Sequence, residues 1–145
     1  MSFLLDTNVV SEWVKPRPHE RVVRWLTEVD EDSVYLSVIT FLEIRQGIEE
    51  MAAGRRRDTL ALWIESELPR RFDQRIIGVD LTIADEAGVL LARSRKTGAN
   101  LSVPDALFAA TGSASGLTLV TRNTRHFQKL GLPLLNPWMG SLTAC

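Results

Sequence analysis

One cysteine, Cys145, and two histidines, His19 and His126, stand among 145 residues. This scarcity excludes a disulfide framework and any thiolate metal cluster, and it points to a reducing compartment, the cytoplasm. The histidines are too far apart to suggest a zinc pair, and there is no HExxH and no Ser-His-Asp pattern. The chain has neither GxGxxG nor GxxxxGK[ST], so a loop cradling a nucleotide's phosphates is unsupported. No apolar run approaches the roughly 20 residues that cross a bilayer. The first residues lack the basic-then-apolar pattern of a signal peptide. A net charge of −1 and a pI of about 6.1 exclude a wholly basic surface. They leave room for local basic patches over an acidic pocket, because opposite charges cancel in the sum.

What is present is a chain that packs. Hydrophobic residues make up 45%, and the length suits one domain over 1–145. Short apolar runs predict strands at Leu4–Asp6, Val34–Leu36, Ile76–Val79, Leu117–Val120 and Leu134–Asn136. Helical spacing falls between them: Val9–Val14, ended by "KPRP", then His19–Val29 and Val38–Ala53, broken by Gly54. Arg56–Leu68 follows, stopped by Pro69, then Thr82–Lys96 before Gly98, Val103–Ser115 before Gly116, and Thr124–Leu130 before Gly131. Strands alternating with helices predict an α/β sandwich, a mostly parallel sheet flanked by helices on both faces. No repeat, linker or low-complexity stretch interrupts it.

The chemistry on offer is a set of acids at element ends. In open α/β sheets ligands bind beyond the carboxyl ends of the strands. Asp6 ends the first strand, and Asn123 follows Leu117–Val120. Asp6 also fits an N-cap for the next helix, with Thr7 and Asn8 as rivals. On the wheel of the Val38 helix, Val38, Phe41, Leu42, Ile48 and Ala52 form the apolar face. Glu43 falls opposite, with Thr40, Gly47 and Glu50. Thr40-x-x-Glu43 and Ser102-x-x-Asp105 both fit capping boxes, in which the acid serves only the backbone. An acid at a helix start is also held ionised by the helix dipole, as a metal ligand must be. Hard ions such as Mg²⁺ take a few carboxylates, water and substrate phosphate, and the acids as a set suit that chemistry.

The pieces "LLDTNVVSE", "YLSVITFLEIRQGIE", "PDALFAAT", "LTLVTRNTRHF" and "LLNPW", in this order, resemble the PIN-domain ribonucleases. The resemblance is to VapC-type toxins of toxin–antitoxin pairs, close to the FitB-like subgroup. It implies a three-layer α/β fold and a metal-dependent endoribonuclease, with Mg²⁺ or Mn²⁺ as cofactor. It implies RNA as substrate, a cognate antitoxin and a second copy of the chain as partners, and DNA only through the antitoxin. Carried over residue by residue, Asp6, Glu43 and Asp105 are the acids that hold the metal, with Thr7 and Thr40 lining the site. The departure is at the fourth position, where relatives often carry an acid at Asn123 or His126. Asn123 could reach the metal's water through its amide oxygen, or be a turn or cap residue. His126 reads as a surface residue, with ligand and phosphate contact as the other readings.

For gripping RNA, Arg122 and Arg125 beside Asn123 are favoured over Arg93, Arg95 and Lys96, while "GRRR" at Arg55–Arg57 reads as a solvated turn between helices. The tryptophans sit mostly at core spacing, so no stacking strip for reading bases is visible. Two other functions compete with the nuclease. One is a weakly active or inactive subunit serving mainly in an antitoxin-bound co-repressor on operator DNA, a reading the missing fourth acid favours. The other is a phosphatase of the haloacid dehalogenase type, which wants a second acid two residues after the first, where this chain has Asn8.

Overall fold

The computed structural model describes residues 1–139 and 141–143, so Cys145 lies outside the described residues. The chain forms β1 (Phe3–Leu5), α1 (Thr7–Val10) with a 3₁₀ turn at Ser11–Val14, α2 (Glu20–Glu28), β2 (Val34–Ser37), α3 (Val38–Glu49) and α4 (Arg55–Leu62). It continues through a π turn at Trp63–Glu67 into α5 (Leu68–Arg71), then β3 (Ile76–Ile77), α6 (Leu81–Thr97), α7 (Val103–Ser115) and β4 (Thr118–Val120). The last elements are α8 (Thr124–Phe127) with a 3₁₀ turn at Gln128–Leu130, β5 (Leu134–Asn136) and β6 (Ser141–Thr143). No helix among the described residues is long and apolar enough to cross a membrane.

One sheet runs in the order β3-β2-β1-β4-β5-β6. The first five strands are parallel, and β6 adds antiparallel to β5. Parallel strands need covering on both faces, and their sequences show it. In β1, β4 and β5 successive residues enter opposite cores. Leu4, Leu119 and Leu134 join one with Phe108 and Phe127; Leu5, Val120 and Leu135 join the other with Trp63, Leu68 and Phe72. The strand period of two thus becomes three layers, helix on sheet on helix. From β1 the order steps one way to β2 and β3, then returns to β4 on the other side of β1. That reversal is the switch point at which open sheets hold ligands, and it lies at the ends of β1 and β4.

Three expectations need correction. Pro69 does not stop the helix. The π turn lets Leu68 N–H donate to the Trp63 carbonyl, five residues back, and Pro69 falls in the first turn of α5, where its missing N–H costs little. Buried Trp63, Ile64, Leu68 and Phe72 hold that stretch on the core. The expected apolar face of the Val38 helix is also wrong in part. Val38 and Leu42 are exposed, Ala52 lies beyond the helix end, and Ile39, Thr40 and Ile48 are buried instead. The helix caps the sheet's end, with Ile39 in one core and Ile48 in the other, so one wheel face does not describe it. Arg55–Arg57 is the first turn of α4 rather than a solvated turn. Arg56 donates to the Val14 carbonyl at 2.9 Å, and Arg57 donates to that of Ile48 at 3.1 Å. The strand β6, absent from the sequence reading, pairs at the edge through its backbone.

Leu5 is fully buried at the centre of the sheet. Leu5→Ala should lower unfolding free energy by about 2–5 kcal/mol in urea denaturation. A loss below about 1 kcal/mol would contradict a sheet packed on both faces.

Candidate active site

The carboxylate of Asp6 stands where β1 hands over to α1. Its backbone N–H still donates to Val120 O at 2.9 Å, so the ladder with β4 fixes its position. Only 6% of the residue is exposed. Oδ1 accepts the Thr7 N–H at 2.7 Å, and Oδ2 accepts the Thr121 hydroxyl at 2.7 Å. The cap reading of Asp6 is therefore correct as far as it goes, because the residue does start α1. A cap, however, usually lies in water, and this one is buried.

Burial has an electrostatic consequence. The Asp6 pKa is raised from 3.8 to about 6. Loss of hydration is the main cause, opposed by the Thr121 and Thr7 hydrogen bonds and reinforced by the negative charges of Asp105 and Glu43. The three candidate acids thus share one electrostatic field, although they come from three segments of the chain.

The Thr7 hydroxyl donates to Glu43 Oε1 at 2.6 Å and stands 3.2 Å from the Thr40 hydroxyl. Helix α3 begins at Val38 with Ser37 as its cap, so Thr40 lies inside the first turn and a Thr40–Glu43 capping box is excluded. Glu43 sits in the second turn, turned to α1 by Thr7. Ser102 caps α7 by accepting the Asp105 N–H at 3.2 Å. The Asp105 carboxylate instead meets His126 Nδ1 at 3.1 Å. His126 is exposed, yet it is the partner of a candidate acid rather than an idle surface residue.

Asn123 occupies the cap position of α8, but its side chain makes no cap hydrogen bond. Its N–H donates to the Thr121 hydroxyl oxygen at 3.0 Å. Thr121 therefore ties Asp6 to the Asn123 loop, and sequence reasoning missed it. The signal was its place directly after an apolar strand. Its meaning depended on knowing that β4 lies beside β1. Arg122 stacks over Trp138, with 5.2 Å between guanidinium carbon and ring centre, and its N–H reaches Asn8 Oδ1 at 3.4 Å. Arg125 is exposed on α8.

Among the described residues no group of three or more His, Cys, Asp or Glu side chains closes up tightly enough to enclose a metal ion. The donor set instead suits a hard ion that takes one or two carboxylates directly and keeps several waters, as Mg²⁺ does. A buried carboxylate with two acids in its field is the chemistry that such an ion relieves.

The PIN domain family model matches residues 3–132. Plasmid stability protein StbB of Pseudomonas syringae pv. tomato is 39% identical over 135 residues, 93% of this chain and 97% of that protein. VapC ribonuclease Y4jK of Sinorhizobium fredii is 35% identical over 93% of this chain and 96% of its own length. Toxin FitB of Neisseria gonorrhoeae is also 35% identical, over 93% of this chain and 97% of its own. The crystal structure of FitAcB from that organism superposes with a TM-score of 0.87 at 34% identity, covering 94% of this chain and 98% of that one.

A raised acid pKa has a definite sign for stability. The folded state holds the Asp6 proton more tightly, so this contribution is fully present below pH 3.8 and is lost as pH rises through about 6. The rise from 3.8 to about 6 corresponds to about 3 kcal/mol. In the metal-free protein, Asp6→Asn should raise the melting temperature at pH 8, and the gain should vanish by pH 4. An equal gain at both pH values would assign it to something other than the buried charge.

Proposed function

The chain belongs to the PIN-domain family, and from that premise we propose that it is a metal-dependent endoribonuclease, the toxin of a toxin–antitoxin pair. The observation that carries the reading is the buried Asp6 carboxylate at the sheet's switch point, with Glu43 and Asp105 in its field. We read the chain as a single domain of that family, working in the cytoplasm, paired with a second copy and held by an antitoxin through which it meets DNA. The names of the relatives, a VapC ribonuclease and a toxin, support this reading.

In this proposal Asp6, Glu43 and Asp105 hold Mg²⁺ or Mn²⁺, directly or through water. The bound ion supplies neutralisation of the phosphate's charge and acidification of the attacking water. Below about pH 6 a bound ion would have to displace the Asp6 proton, so ion affinity would rise with pH up to about 6. Thr121 and Thr7 keep the Asp6 oxygens fixed while this charge change occurs, and Thr7 orients Glu43 by the same hydroxyl that stands beside Thr40. Preset donors of this kind need no rearrangement at the moment of reaction. Arg125 contacts the RNA phosphates, while Arg122, stacked on Trp138, holds its charge near the Asn123 loop. His126 fixes the Asp105 carboxylate through Nδ1. A second reading, a co-repressor subunit with little activity, is favoured by one observation: Asn123 and His126 bring no fourth acid.

Asp6→Asn should abolish RNA cleavage while the protein still folds. Saturating Mn²⁺ should stabilise the wild type by roughly 2.7 kcal/mol at about 100 times its Kd, and this gain should shrink in Glu43→Gln. Full cleavage by Asp6→Asn, or no cleavage by the wild type with Mn²⁺, would overturn the nuclease reading; the second result would favour the co-repressor.

Asn123→Asp should lower the Mn²⁺ concentration needed for cleavage, because it adds charge at a position whose side chain caps nothing. If the Mn²⁺ curve is unchanged in Asn123→Asp while His126→Ala abolishes activity, the imidazole rather than Asn123 completes the site.

A further inference from the structure

Beside the acidic end of the sheet lies a groove of about 560 Å³ between the C-terminal turns of α6 and the α8 segment. Arg93 and Lys96 line one side, Arg125 and Lys129 the other, and Leu101 and Leu130 are among the apolar residues between them. We propose that this groove holds the sugar-phosphate backbone of the RNA strand next to the bond that is cut. The inference rests on the nuclease reading and adds where the strand runs.

Charge is the first argument. Among the described residues Arg93, Lys96, Arg125 and Lys129 form no ion pair, and no carboxylate lines the groove. Elsewhere Lys15 pairs with Glu12, Arg45 with Glu49 and Glu65, Arg57 with Glu49, and Arg71 with Glu31, while exposed Arg17, Arg24 and Arg70 do not line this groove. Cations gathered without a counter-charge in a chain of net charge −1 form a local field for a polyanion. Continuity is the second argument. His126 lines the groove and also meets Asp105 Oδ2 at 3.1 Å, so one side chain joins the groove to the candidate site. Chemistry is the third. A ribonucleotide strand offers phosphates to the cations and the carbon-rich faces of its riboses and bases to the apolar residues of the lining. The groove lining carries no Phe, Tyr or Trp. Its grip therefore rests mainly on phosphate charge rather than on a platform of large aromatic rings, and charge contacts do not read sequence.

The test uses the full chain in the Asp6→Asn background, so that binding is read without cleavage. A fluorescent single-stranded RNA of about a dozen nucleotides, a length covered by known single-strand sites, is titrated by polarisation at several salt concentrations. The triple variant Arg93→Ala, Lys96→Ala, Lys129→Ala is compared with a control of equal charge change, Arg17→Ala, Arg24→Ala, Arg70→Ala, whose residues are exposed elsewhere. Three lost phosphate contacts should weaken binding about tenfold or more and lower the slope of log K against log salt by about 2. The control should stay within about twofold. Equal loss in both variants, or none in the groove variant, overturns the groove. So does a groove variant that keeps RNA but no longer retains a co-purified antitoxin, which would make the surface a protein dock. Wild-type cleavage with Mn²⁺ is measured separately. RNA held through the groove but not cut would remove the nuclease reading and keep the groove; RNA cut but held elsewhere would do the reverse.

Discussion

The site depends on one carboxylate kept out of water. Asp6 is placed by the central parallel strand, its backbone still paired to β4, and its side chain is closed in by Thr7 and Thr121. Burying a charge is costly unless it is paired. Here the partners are hydroxyl and amide donors, which offset the burial only in part, and the nearest charges are two more acids. Between pH 3.8 and about 6 the folded protein therefore holds a proton that an ordinary aspartate would have lost. Such a site is unfavourable when empty and favourable when a cation enters. The cost is borne by a sheet with a core on each face, to which the Asp6 backbone stays paired.

Much of this was legible in the sequence because it is local. The run from Val103 to Ser115 begins at a Ser cap and ends at Gly116, whose φ of +64° suits glycine, and the structure gives the same bounds. Asp6 stood out because an acid directly after a buried strand needs a reason, whereas Glu43, on the polar side of its helix, was picked out by the family resemblance. What escaped was what depends on strand order. Thr121 matters because β4 lies beside β1, and β1 and β4 are more than a hundred residues apart. His126 looked like surface until α7 and α8 were brought together. The helix around Pro69 escaped for a different reason: a π turn has no signature in apolar spacing, and the core contacts that maintain it are non-local.

The charge pattern links the site to its proposed substrate. A chain of net charge −1 would not be picked out as a nucleic-acid binder by its total. The structure sorts its cations into those consumed by the fold and those left over. Arg21, Arg56 and Arg75 donate to backbone carbonyls, and Arg45, Arg57 and Arg71 pair with glutamates. Four of the remainder line one groove at the edge of the acidic pocket. Acids that hold a cation and cations that hold a polyanion are thus placed side by side, which is the electrostatic layout a metal-dependent phosphodiesterase needs.

The central physical feature is a buried Asp6 whose proton affinity is raised, so that proton and metal compete for it up to about pH 6. The most direct measurement is the titration of its side-chain carboxyl carbon by NMR, assigned through Asp6→Asn, with and without Mg²⁺. The account predicts a midpoint near pH 6 in the metal-free protein, moving to lower pH as Mg²⁺ is added. A midpoint in the ordinary aspartate range, or one near 6 that Mg²⁺ does not move, would contradict it.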